Sequence, residues 1–409
     1  MPVISEHTPP AGDPAAGAGP DGTGRLLLDE AGDAVRAALG AGRDVVVLDD
    51  TTGHLVLGAS QAAGAEVGGG VAGAGAGARA GATETGAEAA PAAAPGTVRS
   101  YQDSASAERA LLKLLGPVPS SHHVVVHPSL DASLLSAAVL VLLRLPKSLD
   151  ALEETAQAIA RWAPDDVVVY AGGPVKHMTR SMNEVLGRSF GEVHATLGRF
   201  KARALVARRS LDAARTAAPV FPRSAHLAEL DLTVVAHGGV FAGARLDIGT
   251  RALLAVLDEA HPEARDAVDL GCGTGVLATV LARSRPGIRV VASDQSAAAV
   301  ASALATAAAN GVGDRVSGLR DDALSTLPDG SADLVVCNPP FHAGTTLETD
   351  AAHRMFAAAA RVLRPCGELW TVYNSHLRHK SALARTVGPT TMVRQDPKFT
   401  VTRSVRQER

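Results

Sequence analysis

Asp269-Leu270-Gly271-Cys272-Gly273-Thr274-Gly275 is the stretch on which the reading of this chain turns. Before it, Ala267, Val268 and Leu270 have the apolar character of a parallel strand buried on both faces. After it, Val276, Leu277, Val280 and Leu281 recur at helical spacing. The glycines therefore sit at a strand-to-helix turn. Gly271, Gly273 and Gly275 permit backbone conformations and close approaches that a Cβ forbids, and the helix that follows presents unpaired N–H groups. A ligand can lie directly on such a backbone. A dinucleotide-binding turn places its third glycine one position later, where this chain has Val276.

The Asp-x-Gly-x-Gly-x-Gly form instead resembles motif I of the class I S-adenosylmethionine (SAM) methyltransferases. That resemblance implies that Asp269 helps hold the amino-acid end of the ligand. Three downstream features fall at the intervals such a fold requires. Ile288–Ala292 reads as a second strand ending in Asp294, about twenty residues past the glycines, where an acid accepts both ribose hydroxyls of a nucleoside. Residues 315–319 read as a third strand, followed by Asp321 and Asp322, of which Asp322 is favoured to read the adenine amine. Residues 334–337 form a fourth strand that ends in Asn338-Pro339-Pro340-Phe341.

Two prolines fix φ and remove donors, so the chain leaves the sheet in a rigid turn with its carbonyls free. The Asn338 side-chain oxygen and the Pro339 carbonyl can then accept both hydrogens of a planar amine and aim its lone pair. Phe341 would stack on the ring that bears the amine. Catalysis of this kind works by orientation more than by acid or base, because the SAM sulfonium is already a good leaving group.

A chain of 409 residues suggests two domains, each able to bury a core. A net charge of −3 carries no global nucleic-acid signal. Two segments are locally basic: one holds Arg188, Arg199, Lys201, Arg203, Arg208, Arg209, Arg215 and Arg223, the other Arg378, Lys380, Arg385, Arg394, Lys398, Arg403, Arg406 and Arg409. Each reads either as an RNA-backbone footprint or as solvated helix and strand faces. Cys272, Cys337 and Cys366 show no paired spacing, so neither metal nor disulfide is expected. His122, His123 and His127 cluster without matching ligand spacing. No apolar run reaches the roughly twenty residues of a membrane span and no signal pattern opens the chain, so a cytoplasmic location is expected.

Along the chain, residues 1–23 read as a disordered tail and 59–96 as a disordered Ala/Gly-rich insert. Residues 24–212 alternate strands and helices: a helix over 26–39, strands at 44–49 and 55–57, a helix over 105–115, a strand at 123–127, an apolar helix or strand over 134–143, and a helix over 149–162. No glycine fingerprint follows Val45–Leu48, so this domain's own switch point is expected to hold no cofactor. Residues 213–227 read as a linker with Pro219 and Pro222. Residues 228–409 form the second domain, in which Thr250 caps a helix and two last strands close a hairpin. The expected fold is α/β: tandem Rossmann-like units, the first degenerate, the second with seven strands ending in an antiparallel hairpin.

The second domain resembles the bacterial ribosomal RNA guanine-N2 methyltransferases. The resemblance is carried by Gly239-Val-Phe241, Leu246-Asp-Ile-Gly249, the motif I glycines, Asn338-Pro-Pro-Phe-His342 and Lys398-Phe399. Residues 145–153 and 170–179 resemble the first domain of the large-subunit branch, a duplicated methyltransferase fold that has lost its cofactor site and could grip RNA. The resemblance implies cofactor contacts at Asp269, Gly271, Gly273, Gly275, Asp294, Asp322, Asn338 and Gly249, and catalytic roles for Asn338, Pro339 and Phe341. It also implies that a monomer methylates the N2 amine of a guanine in ribosomal RNA, free or in a ribosomal subunit. Protein glutamine, nucleic-acid adenine, or a SAM-binding ribosome-assembly role with little turnover are the alternatives. Neither the tail nor the insert belongs to the family pattern, and His342 has no role derivable from the sequence.

Overall fold

The computed structural model describes residues 19–64, 96–116, 123–340 and 346–407. Its first sheet is built from β1 (Asp44–Leu48), β2 (Val98–Tyr101), β3 (Val124–Val126), β4 (Ala138–Arg144), β5 (Val168–Pro174), β6 (Phe190–Ala195) and β7 (Ala202–Ser210). They run in the order β3-β2-β1-β4-β5-β7-β6. A two-stranded hairpin, β8 (Arg223–Leu227) and β9 (Leu232–Ala236), leads to the second sheet. That sheet contains β10 (Asp266–Leu270), β11 (Arg289–Asp294), β12 (Val316–Arg320), β13 (Ala332–Cys337), β14 (Leu363–Asn374), β15 (Thr390–Gln395) and β16 (Phe399–Val405). Its order, β12-β11-β10-β13-β14-β16-β15, repeats that of the first. In each sheet the first five strands pair parallel, β7 or β16 then adds antiparallel to them, and β6 or β15 pairs antiparallel with it at the edge, completing a hairpin.

Helices cover both faces of each sheet, which is why the central strands are apolar throughout. In β10, Ala267 packs with Leu277, Leu281 and Trp370 on one face, while Val268 and Leu270 meet Phe356, Leu363 and Tyr373 on the other. β1 divides in the same way, with Val46 and Leu48 on one side and Val45 and Val47 on the other. Burial of each large aliphatic side chain contributes about 1.5–3 kcal/mol, so a double-sided strand anchors whatever loop leaves its end.

Several elements differ from the sequence expectation. Residues 55–57, apolar enough for a strand, lie in the helix His54–Gly64. They follow β1 on the way to parallel β2, a crossover that a hairpin cannot make and a helix can. The apolar run over 134–143 is divided between a short helix, Ala132–Leu135, and β4. The tail expected over 1–23 ends sooner, because the helix Gly22–Gly40 starts inside it. Asp21 accepts from Gly24 N at 2.9 Å, and Arg144 holds the same carboxylate at 2.9 and 2.6 Å. Residues 1–18 lie outside the described residues. The insert expected from 59 begins later too: the helix continues to Gly64 and Ala59 is fully buried, while 65–95 lie outside the described residues.

The linker expected over 213–227 is a bound segment and not an open tether. It carries most of the helix Asp212–Thr216 and all of β8. Gln157 accepts from Val220 N at 2.8 Å and donates to the Ala218 carbonyl at 3.1 Å, while Arg223 pairs with Asp150 and Glu153. The two halves are thereby joined along the helix Leu149–Trp162.

Candidate active site

The order of the second sheet reverses between β10 and β13, and the turns leaving the two strands diverge to open a crevice. A cavity of about 450 Å³ lies there, and its lining among the described residues falls between Phe241 and Phe399. Gly271, Gly273 and Gly275 all take positive φ, at 76°, 52° and 71°. Gly275 is needed for packing, since a Cβ there would lie 2.6 Å from Ala303 Cα. Gly273 serves the cavity: nothing lies within 4 Å of the place its Cβ would take, so bare backbone faces the open space.

The acids expected around that backbone have different fates. Asp269 is buried and does not line the cavity; its Oδ2 accepts from Ala278 N at 3.0 Å beneath the turn. It thereby pins the helix Val276–Ser284 under the glycines. Burial pushes its carboxyl up to about 7. Asp294 lines the cavity, with Oδ2 accepting from Gly273 N at 3.1 Å and Oδ1 from Ser296 N at 3.0 Å. A carboxylate has about four acceptor sites, so acceptor capacity remains for a ligand. Burial raises the Asp294 carboxyl above the usual range.

Asp321 and Asp322 separate clearly. Asp321 is 3% exposed and accepts from Ser325 Oγ, Thr326 N, Thr326 Oγ1 and Arg109, which commits its lone pairs to its own loop and to the helix Ala105–Leu115. Both acids line the cavity, but Asp322 keeps a third of its side-chain surface open, at 32%, with Arg109 at 3.8 Å.

At the tip of β13, Asn338 donates through Nδ2 to Asp247 Oδ2 at 2.9 Å and to Thr250 Oγ1 at 3.0 Å. A carboxylate oxygen can only accept, so the amide nitrogen must face it and the orientation of the side chain is settled. Its oxygen Oδ1 is buried and has no hydrogen-bond partner among the described residues. An unmet buried acceptor costs about 1–3 kcal/mol, and such a group at a cavity wall is what a ligand N–H would relieve. No described residue donates to the Pro339 carbonyl, and both prolines line the cavity. Gly249 stays behind Asn338 and does not line the cavity: a Cβ there would come within 3.1 Å of Asn338 Oδ1 and 3.0 Å of Asp247 Oδ2. Phe341 and His342 lie outside the described residues.

Asp247, and not Thr250, caps the helix Ile248–Leu254, accepting from Thr250 N at 3.0 Å. The threonine hydroxyl is thus released for Asn338. These partners lie 91 and 88 residues from Asn338 in the chain, so no local signal could join them. Arg245, Arg354 and Lys398, all exposed, stand at the cavity rim. None carries an ion pair among the described residues. The basic segment over 188–223 behaves differently, because Arg188, Arg199, Arg209, Arg215 and Arg223 pair with Glu153, Glu30, Glu192, Asp165 and Asp150.

At the matching position of the first sheet the strand-to-helix turn is built differently. Asp50 is fully buried there and fills the start of the helix His54–Gly64, accepting from Leu55 N at 2.8 Å and Val56 N at 3.0 Å. At Gly53, a Cβ would already stand 3.0 Å from Leu111 Cα. A side-chain carboxylate occupies the helix terminus that bare glycine backbone presents in the second sheet. Among the described residues no group of three His, Cys, Asp or Glu side chains gathers as a metal site, and His122 lies outside them. Burial raises the Cys272 and Cys337 thiols well above their usual range.

Comparison with known proteins agrees with this architecture. Residues 231–403 match the methyltransferase small domain, and 86–211 match the RLMG N-terminal domain. A Streptomyces coelicolor protein named ribosomal RNA large subunit methyltransferase G is 39% identical over 272 residues, covering 65% of this chain and 72% of the relative. An Ectopseudomonas mendocina protein of the same name is 39% identical over 262 residues, covering 64% and 69%. Among solved structures, a T. thermophilus 16S rRNA N2 G1207 methyltransferase in complex with AdoMet and guanosine superposes with a TM-score of 0.65. That match covers 92% of each chain at 21% identity, and so reports a shared tandem fold. By its sequence the chain belongs to the ribosomal RNA large subunit methyltransferase G family.

Proposed function

We propose that this protein is a SAM-dependent methyltransferase acting on the exocyclic N2 amine of a guanine in ribosomal RNA of the large subunit. The observation that carries this reading is the Asn338 amide, whose nitrogen is fixed by Asp247 and Thr250 while its oxygen is left unmet at the cavity wall. The relatives named ribosomal RNA large subunit methyltransferase G support the substrate class.

The residues present fit SAM. Gly271 and Gly273 offer backbone to its amino-acid end, Asp294 has acceptor capacity left for ribose hydroxyls, and Asp322 faces the same cavity for the adenine amine. When bound, SAM supplies a methyl group on a sulfonium that leaves without acid assistance. The chain's own part is to hold the nucleophile. Asn338 Oδ1 and the Pro339 carbonyl accept the two amine hydrogens, which turns the nitrogen lone pair toward the methyl, and the surplus proton passes to water. Fixing that geometry contributes on the order of several kcal/mol.

A guanine N2 is paired or stacked in a helix, so the base enters extruded or already single-stranded. Phe341 follows the two prolines and is assigned to stack on it. Arg245, Arg354 and Lys398 stand where flanking phosphates would pass. On this reading residues 24–212 are the degenerate unit, 213–227 the connector and 228–409 the catalytic unit, working as a monomer in the cytoplasm.

The Asn338→Ala variant tests the reading. It should bind S-adenosylhomocysteine and ribosomal RNA with native affinity while methyl transfer falls at least about a hundredfold. Turnover at the native rate would contradict the assignment, and a variant that still restored ribosome assembly in cells would favour a binding role over an enzymatic one.

A further inference from the structure

Among the described residues the cofactor cavity is lined by the second unit, yet its nucleoside side is held from the first. Two equivalent loops meet there. β2 runs through Gln102-Asp103-Ser104 into the helix Ala105–Leu115, and β11 ends at Asp294 and runs through Gln295-Ser296 into the helix Ala297–Ala309. Ser104 and Ser296, each the cap of its own helix, pair antiparallel with each other. Ala105 N donates to the Gln295 carbonyl at 2.8 Å, and Ala297 N to the Asp103 carbonyl at 2.9 Å.

Asp103 does more than its counterpart position requires. Its Oδ1 accepts from Ala298 N at 2.9 Å, so of the first three N–H groups of the helix after Asp294, two end on Asp103 and one on Ser296. The Asp103 amide in turn donates to Asp49 Oδ1 at 3.0 Å, which ties it to the end of β1. Arg320, 19% exposed, donates to the Gln102 and Asp103 carbonyls at 2.6 and 3.2 Å and pairs with Glu108 at 2.8 Å. A helix terminus with unmet donors frays, and here the turn that would fray carries the acid assigned to the ribose.

We propose that Asp103 is a positioning residue for the nucleoside half of the cofactor cavity: through the start of the helix Ala297–Ala309 it holds the Asp294 loop in its binding shape. The degenerate unit therefore acts in cofactor binding, besides any grip on RNA. The inference rests on the reading of this cavity as the SAM site.

Calorimetric binding of S-adenosylhomocysteine to the full-length protein, with steady-state kinetics and thermal midpoints, tests it. Asp103→Ala should raise Kd, and KM for SAM, about tenfold, with kcat at saturating SAM within about twofold of native. Asp103→Asn keeps an oxygen for Ala298 N and should restore affinity to within about twofold. Asp103→Glu keeps the charge but moves the oxygen by one methylene; a smaller rise in Kd is expected, and this variant carries the test if the alanine form does not fold. Glu154→Gln perturbs another contact between the units, at His237 and Gly238, and should bind normally. Native affinity in Asp103→Ala would overturn the proposal, as would a loss in Glu154→Gln matching it in proportion to the drop in thermal midpoint. Asp294→Ala separates the two readings: if it too bound natively, the cofactor assignment would have failed and not the role of Asp103.

Discussion

Asn338 presents its oxygen because its nitrogen is already spent, and Gly249 leaves room for that arrangement. Alanine at 249 lies within a helix, where it is intrinsically favoured over glycine by about 0.5–1 kcal/mol. Its Cβ, however, would crowd Asn338 Oδ1 at 3.1 Å and Asp247 Oδ2 at 3.0 Å. Gly249→Ala should therefore melt within a few degrees of native while kcat falls about tenfold or more, since small displacements of an orienting group are costly. An unchanged kcat would remove Gly249 from the account. Asp269 makes a second prediction at this scale. Burial raises its carboxyl from 3.8 to about 7, so in the cofactor-free protein the unfolded chain sheds this proton first as pH rises. The stability it permits is full below about pH 4 and is lost progressively up to about 7. Asp269→Asn keeps an acceptor for Ala278 N without the charge, so its thermal midpoint should gain on native between those limits and match it at lower pH. The glycines and the Asn-Pro-Pro turn were legible in the sequence because their chemistry is local. Asp247 and Thr250 as partners of Asn338 were not, because only tertiary folding brings them across 91 and 88 residues.

The turn between β10 and the helix Val276–Ser284 depends on Gly275 more than on its neighbours. Gly275 combines a φ of 71° with a Cβ position 2.6 Å from the Ala303 backbone of the next helix. Gly275→Ala should cost about 2–4 kcal/mol in urea unfolding, as strain and overlap add. Gly273 takes positive φ with open space around it, so Gly273→Ala should cost less stability and show its effect in S-adenosylhomocysteine binding. The reversed ranking would contradict the packing argument. Elements of the second sheet were readable from alternating apolar strands and helical runs because its central strands bury side chains on both faces. Residues 55–57 misled because three apolar residues carry no period, and the need for a crossover from β1 to β2 decided for helix.

At the scale of the molecule, charge pairs by space and not by sequence. The basic run over 188–223 was open to two readings, an RNA footprint or solvated faces, and five of its arginines meet carboxylates brought by other elements. At the cavity rim, Arg245, Arg354 and Lys398 have no such partners among the described residues. Arg354→Ala and Lys398→Ala should each weaken RNA binding and lower the slope of log affinity against log salt by about 0.7. Arg209→Ala, whose guanidinium is held by Glu192 at 3.1 Å, should leave that slope unchanged. The repeat of one sheet order in both halves was foreseeable from alternating element types. The engagement of the two units through Asp103 and Arg320 was not, because it depends on the faces they present to one another.

The measurement that bears most directly on the account is identification of the methylated nucleoside. The protein is incubated with methyl-labelled SAM and, separately, deproteinised large-subunit and small-subunit ribosomal RNA from cells lacking the gene, and the RNA is digested to nucleosides. Label should appear in N2-methylguanosine, from large-subunit RNA, and should vanish with Asn338→Ala. Label in a different nucleoside, or none in either RNA and none in intact subunits, would contradict the assignment of the guanine N2 amine as the group that Asn338 holds.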